Sequence, residues 1–236
     1  MNKLEKLSLD YRSSKNFPGQ QFLWPKEDTV TWKQFAKSGY FHDIPYLVYN
    51  FPNIISDLIP EEKRNLVIQA GGNGGVFPYL YAERFKEVIT FEPDERWFFC
   101  LDHNITKKNV KKINAALGNS NDLVSMENNP DIARSTTNLG ARRVHLGEGT
   151  INQIKIDSLN LSPDLIHLDI EGFEGEALLG AAETINRSKP LIVVEMNGNG
   201  NHYGWPNEKI HSLILSFGYE KIVDWHHDIA YKFVEK

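Results

Sequence analysis

The run Val67-Ile68-Gln69-Ala70-Gly71-Gly72-Asn73-Gly74-Gly75-Val76-Phe77 carries an apolar strand into a glycine-dense turn and then into a helix. Glycines allow positive φ and put no side chain in the way, so a ligand can lie against bare main chain there. Glu92 follows Gln69 by 23 residues, in Phe91-Glu92-Pro93, at the end of a second apolar run. A carboxylate so placed can accept two ribose hydroxyls, since open α/β sheets hold nucleosides just beyond the carboxyl ends of their strands. A dinucleotide would want G-x-G-x-x-G, so that its pyrophosphate meets a helix N-terminus. The third glycine of that pattern is missing, because Gly74-Gly75 leads to Val76. A nucleoside with an uncharged linker fits the loop better.

A third constellation is Asp164-Leu165-Ile166-His167-Leu168-Asp169-Ile170-Glu171-Gly172-Phe173-Glu174. Asp169 and Glu171 fall where a fourth parallel strand should end, and Glu195 follows a fifth in Val193-Val194-Glu195. Three carboxylates would then converge on one rim. His226-His227-Asp228 offers metal-ligand residue types, but adjacent histidines in a strand face opposite ways. They read as turn residues, and no metal is expected. Arg134, Arg142, Arg143 and the lysines between 107 and 112 could grip an anionic acceptor, but read first as a solvated charged face.

These groups need a frame that gathers strand ends. Short apolar runs at 66–68, 88–91, 112–117, 165–168 and 191–194 alternate with segments of helical length at 78–85, 94–104 and 174–182. That alternation predicts a parallel sheet with helical crossovers. A further helix should run from an Asn207 cap to Ser216, with Gly218 ending it in a left-handed conformation. An antiparallel hairpin, 221–224 and 229–234, then joins the sheet. Residues 119–152 break the rhythm with Pro130 and three glycines and read as an inserted loop or small hairpin. Residues 1–60 scatter Trp24, Trp32, Phe35, Tyr40, Phe41, Tyr46 and Tyr49 among Pro18, Pro25, Pro45 and Pro52, which suggests an irregular N-terminal cap before a domain at 61–236.

Composition narrows the classes. The chain has 236 residues, and 26 Lys and Arg against 31 Asp and Glu leave a formal charge of −5. No whole-protein field attracts nucleic acid or an anionic membrane. Cys100 stands alone, which excludes an intramolecular disulfide and a multi-thiolate zinc site and fits a reducing compartment. No run of about 18 apolar residues occurs, and the N-terminal residues lack an apolar signal segment. A soluble, cytoplasmic protein is expected.

Together the motifs resemble the FkbM-type family of S-adenosylmethionine-dependent methyltransferases, over roughly residues 66–234. Residues 67–75 are similar to that family's V-x-D-x-G-A-N-x-G loop, and Phe91-Glu92-Pro93 to its ribose-binding acid. Asn114-Ala115-Ala116-Leu117-Gly118 resembles its third-strand segment beside the adenine. Residues 164–174 resemble its D-x-I-K-x-D-x-E-G-x-E block, and 190–195 its P-x-I-x-x-E strand. Gln69 stands where the family has Asp, and His167 where it has Lys; the lost negative charge at Gln69 lies near a cationic cofactor.

The resemblance implies a three-layer, Rossmann-like class I methyltransferase fold with a mostly parallel seven-stranded sheet. It also implies S-adenosyl-L-methionine as cofactor, held by Gln69, Gly71, Gly72, Asn73, Gly75, Glu92, Ala115, Ala116, Asp169 and Glu171. Methylation of an oxygen on a sugar, glycan or other small polyhydroxylated acceptor follows by the same likeness. Loss of the acceptor's proton needs a base. Asp169 is the first candidate, followed by Glu195 and His202. The loop 197–205 should overhang the rim, where His202, Tyr203 and Trp205 offer flat faces to a sugar. Two alternatives stay open: a catalytically inactive nucleoside-binding module of the same fold, and an NAD-dependent oxidoreductase, which would need the pyrophosphate loop that is missing.

Overall fold

The computed structural model describes residues 3–15, 17–36, 50–130, 137–225 and 227–235. Strands β1 (Leu9–Ser13) and β2 (Gln21–Pro25) lie between the short helices α1 (Lys3–Lys6) and α2 (Val30–Ala36), and α3 (Phe51–Asp57) follows. The central units are β3 (Leu66–Ala70), α4 (Val76–Tyr81), β4 (Glu87–Phe91), α5 (Glu95–Asn104) and β5 (Val110–Ile113). Four further strands come next: β6 (Ala116–Leu117), β7 (Leu123–Asn128), β8 (Arg142–Leu146) and β9 (Ile151–Ile154). The chain continues through β10 (Leu165–Leu168), α6 (Glu174–Leu179), α7 (Ala182–Ser188), β11 (Leu191–Glu195), α8 (Asn207–Ser216), β12 (Tyr219–Trp225) and β13 (Asp228–Phe233).

Seven strands form the main sheet in the order β12-β13-β11-β10-β3-β4-β5. The five from β11 to β5 are parallel, and the β12–β13 hairpin adds antiparallel to β11. Its central strands are apolar almost throughout because both faces are covered. Val67, Val88, Leu165 and Val193 pack under α3, α4 and α5 through Ile55, Tyr81, Trp97 and Leu101. Ile68, Ile89, Ile166 and Val194 pack under α6, α7 and α8 through Leu178, Ile185 and Ile214. The chain winds from β3 towards β5 on one side and from β10 towards β11 on the other. The strand order therefore reverses between β3 and β10, the place where open α/β sheets open a crevice.

The mostly parallel α/β sheet expected from the alternation is present, and several expected details differ. The strand expected at 112–117 is two strands in two sheets. β5 ends at Ile113, the chain bends at Asn114, whose side-chain amide donates to the carbonyls of Glu92 (2.8 Å) and Pro93 (3.1 Å), and β6 pairs with β9 instead. The insertion is more than a loop, since β6-β9-β7-β8 make a four-stranded sheet. Pro206, not Asn207, is the N-cap of α8; Asn207 is already helical and donates its side-chain amide to the Met196 carbonyl at 2.9 Å. Gly218 does have positive φ, +87°. The N-terminal segment is not irregular where described, because β1 and β2 form a hairpin. Tyr40, Phe41, Pro45, Tyr46, Tyr49, Arg134 and His226 lie outside the described residues, as does the side chain of Phe35. Among the described residues no helix is long and apolar enough to cross a membrane.

The hairpin belongs to the main core. Trp24 on β2 is fully buried, stands edge-on to Trp97 of α5 at 4.9 Å, and leaves no room for a Cβ on Gly74. Asn104 at the end of α5 locks the arrangement. It accepts from the Leu23 amide (2.6 Å) and donates to the carbonyls of Leu23 (2.9 Å) and Gly74 (2.8 Å). Trp24→Ala should cost about 3–5 kcal/mol of stability, read as a lower urea midpoint at unchanged slope.

Candidate functional site

The register of the sheet sets out the site. One ladder step past the paired residues, the strand ends present Glu92 beside Gly71, Gly71 beside Asp169, and Asp169 beside Glu195, following the pairs Ala70–Phe91, Leu168–Ala70 and Leu168–Val194. Glu195 in turn pairs with Asp228 on β13. Five neighbouring strands thus deliver Glu92, Gly71, Asp169, Glu195 and Asp228 in a row along one rim.

At one end of the row the glycine loop is bound to β4. The amides of Gly71 and Gly72 both donate to the Phe91 carbonyl, at 3.1 and 2.9 Å. Gly71 has φ +86°, and a Cβ there would meet the Asp169 carbonyl oxygen at 1.9 Å, so only glycine allows this approach of β3 to β10. The Asn73 amide donates to Glu92 Oε2 at 2.7 Å and the Asp94 amide to Oε1 at 2.9 Å. Burial, with the charge of Asp94 beside it, pushes the Glu92 carboxyl up to about 8 despite these bonds. Gly75 caps α4 with φ +93°. Ala115 and Ala116, with Phe91, Leu117 and Trp97, give the adjoining wall an apolar slot.

At the other end, Asp169, Glu171 and Glu195 bring carboxyl oxygens within 4.8 Å of one another, a donor set that also suits a hard cation. Asp169 and Glu195 share a hydrogen bond. Asn199 donates to Glu171 Oε2 and Asn197 to Glu195 Oε2, both at 2.8 Å. Glu174 braces the turn by accepting from the amides of Ile170 (3.0 Å) and Gly172 (3.2 Å). Burial raises Asp169, Glu171, Glu195 and Asp228, and mutual repulsion adds to the shift of the last three. Glu174 is pushed up to about 7 by the same burial. The whole crevice encloses about 500 Å³, within the usual range for small ligands.

Three expected residues do not line the crevice: Gly75, whose place is the cap of α4, Gln69 and His202. Gln69 lies beneath the loop, fully buried, and is not part of the crevice wall. Its Nε2 donates to the carbonyls of Ala70 (3.0 Å) and Gly71 (2.9 Å), while Thr90 donates to its Oε1 at 2.5 Å. His202 is exposed, with its ring against Tyr203, and does not line the crevice. The loop 197–205 offers no aromatic face to it either. Trp205 is buried over Gly175 with its indole N–H donating to Glu176 at 2.8 Å, and the Tyr203 hydroxyl donates to the Val144 carbonyl.

Three lining residues were not singled out for this role. Arg142 reaches from β8 to Asp94 and donates to the Met126 carbonyl at 2.9 Å. It is the one lysine or arginine among the described lining residues. Trp225 and Asp228 arrive from the hairpin. An apolar-polar alternation starting at Ile229 does place Asp228 at the mouth of a strand, but its meeting with Glu195 depends on which strand the hairpin joins.

His167 sits buried under this floor, its ring stacked 5.6 Å from Phe77 and its Nδ1 2.8 Å from the Tyr81 hydroxyl. Burial holds its imidazole at about 3. The two kinds of shift act oppositely on stability. A carboxyl raised in the folded state keeps a proton that the unfolded chain has released, so stability falls as pH rises from the ordinary carboxylate range through the raised value. The lowered imidazole does the reverse, costing stability as pH falls from about 6.5. Six raised carboxyls outweigh one histidine. Without ligand, the urea midpoint should therefore fall steadily between pH 5.5 and pH 8.5 at fixed ionic strength; a flat or rising profile would contradict this electrostatic picture.

Comparison with known proteins fits this geometry. The profile of the methyltransferase FkbM domain family matches residues 69–221, more than half of the chain. Curated protein sequences give no match. Among solved structures, the methyltransferase FkbM from Methylobacillus flagellatus KT superposes with a TM-score of 0.54 at 18% identity, covering 78% of this chain and 48% of that one. Trm5b from Pyrococcus abyssi gives 0.48 at 16%, covering 95% and 56%, and the ribosomal protein L11 methylase from Lactobacillus delbrueckii subsp. bulgaricus gives 0.49 at 8%, covering 80% of each. The chain thus spans about half the length of the Methylobacillus and Pyrococcus proteins, and at 18% identity the likeness to the former is one of fold. With its glycine loop, Glu92 and the 164–174 block all inside the matched segment, the chain belongs to the FkbM-type family of S-adenosylmethionine-dependent methyltransferases.

Proposed function

We propose that the protein is a methyltransferase of the class I fold that binds S-adenosyl-L-methionine and methylates an oxygen of a small polyhydroxylated molecule or glycan. The observation that carries this reading is the grading of one crevice, from an apolar slot and a ribose-accepting acid at Glu92 to a cluster of carboxyls at Asp169. An adenosyl sulfonium has the same grading, with a neutral nucleoside at one end and positive charge at the other. Residues 61–236 form the catalytic domain in this proposal and residues 1–60 its cap, and the cytoplasm is its setting.

The cofactor supplies a methyl group on positively charged sulfur. Glu92 would accept the ribose hydroxyls, the main chain of Gly71, Gly72 and Asn73 would lie along the nucleoside, and Ala115 and Ala116 would flank the base. Gly75 contributes through the turn it caps and Gln69 through the loop carbonyls it ties. A carboxylate at position 69 could not donate to those carbonyls, so Gln69 is consistent with a working loop rather than an inactive module. Asp169 and Glu171 would face the positive charge. Held by these residues, the sulfonium would supply its methyl carbon to the acceptor oxygen and keep the electron pair of the broken carbon–sulfur bond on sulfur. The acceptor's proton would pass to the hydrogen-bonded Asp169–Glu195 pair, whose affinity for protons is raised by burial. His202 has no part in it. Holding oxygen, carbon and sulfur in line can supply up to about 7–11 kcal/mol, and the base about 10²- to 10⁴-fold in rate.

Calorimetry should show binding of S-adenosylhomocysteine and none of NAD. Glu92→Gln should weaken that binding at least tenfold, about 1.4 kcal/mol. With labelled cofactor and an extract-derived acceptor followed by mass spectrometry, Asp169→Asn should lower turnover by about 10²- to 10⁴-fold. Full turnover in Asp169→Asn would remove it as the base.

A further inference from the structure

The acidic end of the crevice gathers more carboxyl groups than the cofactor can answer. S-adenosylmethionine brings a sulfonium, an ammonium and a carboxylate, a net charge of +1. Against it stand Asp169, Glu171, Glu195 and Asp228, with Asp224 of β12 on the same wall. The one basic lining side chain with a fixed charge among the described residues, Arg142, is engaged by Asp94 at the opposite end.

Asp228 differs from its neighbours. Glu171 and Glu195 each receive an asparagine amide. No hydrogen bond holds the Asp228 carboxyl among the described residues, although it is set into the crevice wall and lies within reach of the charges of Asp169 and Glu174. Its place in the row also separates it from the nucleoside. β13 is four strands from β4, so at about 4.8 Å per strand Asp228 stands ~19 Å along the rim from Glu92. Trp225, its partner across the hairpin, lines the same end and is fixed edge-on against Phe51 at 5.1 Å. An indole beside an unbonded carboxyl recognises an organic cation, through the ring face and the charge together.

We propose that Asp228 and Trp225 form an acceptor subsite for a protonated amine, so that the acceptor is an amine-bearing hydroxylated molecule, an amino sugar or similar compound, and anionic acceptors are rejected. This rests on the crevice being the methyl-transfer site. It adds a chemical reason for oxygen as the target: an ammonium held by Asp228 has no free electron pair to attack the methyl carbon, whereas the neighbouring hydroxyl does. Rejection of anions follows from the same grouping, since a carboxylate or phosphate brought to this end meets acids from β10, β11 and β13 with no lysine or arginine among the described lining residues there to receive it.

The test uses three probes of one shape, cyclohexylamine, cyclohexanol and cyclohexanecarboxylate, titrated at pH 7.5 into the full-length protein with and without S-adenosylhomocysteine. Ligand-observed NMR reads the affinities. The amine should bind at least tenfold more tightly than the alcohol, with the carboxylate weakest. Asp228→Asn should erase that ranking while S-adenosylhomocysteine binds as before. Should Asp228→Asn not fold, Trp225→Leu carries the same test and should lose at least threefold of the amine affinity but not the alcohol's. Equal binding of the three probes, no binding of any, or a ranking that survives both substitutions overturns the subsite. So does displacement of the amine by millimolar Mg²⁺ or Mn²⁺ at tighter affinity, which would give the carboxyls to a metal ion. If S-adenosylhomocysteine fails to bind while the amine ranking holds, the cofactor reading fails and the amine site stands; the converse result sinks the subsite alone.

Discussion

The register of five adjacent strand ends is the constraint on which everything else depends. Because Ala70 pairs with Phe91 and Leu168 pairs with both Ala70 and Val194, the next residue on each strand must fall in one line. A slip of one residue would turn the side-chain faces over and dissolve both the core and the row. Gly71 is the tightest point of that line, held by its amide to Phe91 and pressed against the Asp169 carbonyl. The same close approach that requires a glycine joins the glycine-loop end of the crevice to its acidic end.

Charge in this crevice is arranged rather than balanced. Glu92 is held by two amides and Glu174 by two more, so those acids have internal work in shaping turns. Asp169, Glu171, Glu195 and Asp228 share one end of the crevice with few donors, and burial, with mutual repulsion at the last three, raises their hold on a proton above the ordinary carboxylate range. Such a grouping costs the empty protein some stability as pH rises through the raised values. Half-buried carboxyls with raised proton affinity are a common mark of functional clefts.

Much of this was legible in the sequence because it is local. A glycine loop between strand and helix, an acid closing a strand, and a Asp169-x-Glu171-x-x-Glu174 spacing are each contained in about ten residues. What escaped reading depends on contacts across the chain. Gln69 turns inward because Thr90 and two loop carbonyls meet it there, and no neighbour in sequence announces that. Ala116 and Leu117 leave the main sheet because Gln153 and Ile154 offer a partner almost forty residues on. Trp205 is in the core because Gly175 makes room for it. Asp228 joins the row only through the pairing of a C-terminal hairpin with β11.

The central claim is that one rim holds a nucleoside at Glu92 and directs positive charge towards Asp169. A crystal structure with S-adenosylhomocysteine tests it most directly. The ribose hydroxyls should lie within hydrogen-bond distance of the Glu92 carboxyl, the base between Ala115 and Phe91, and the amino-acid tail should point along the row towards Asp169. A ligand seated elsewhere, or a tail turned towards Arg142 and away from the acids, would contradict the account.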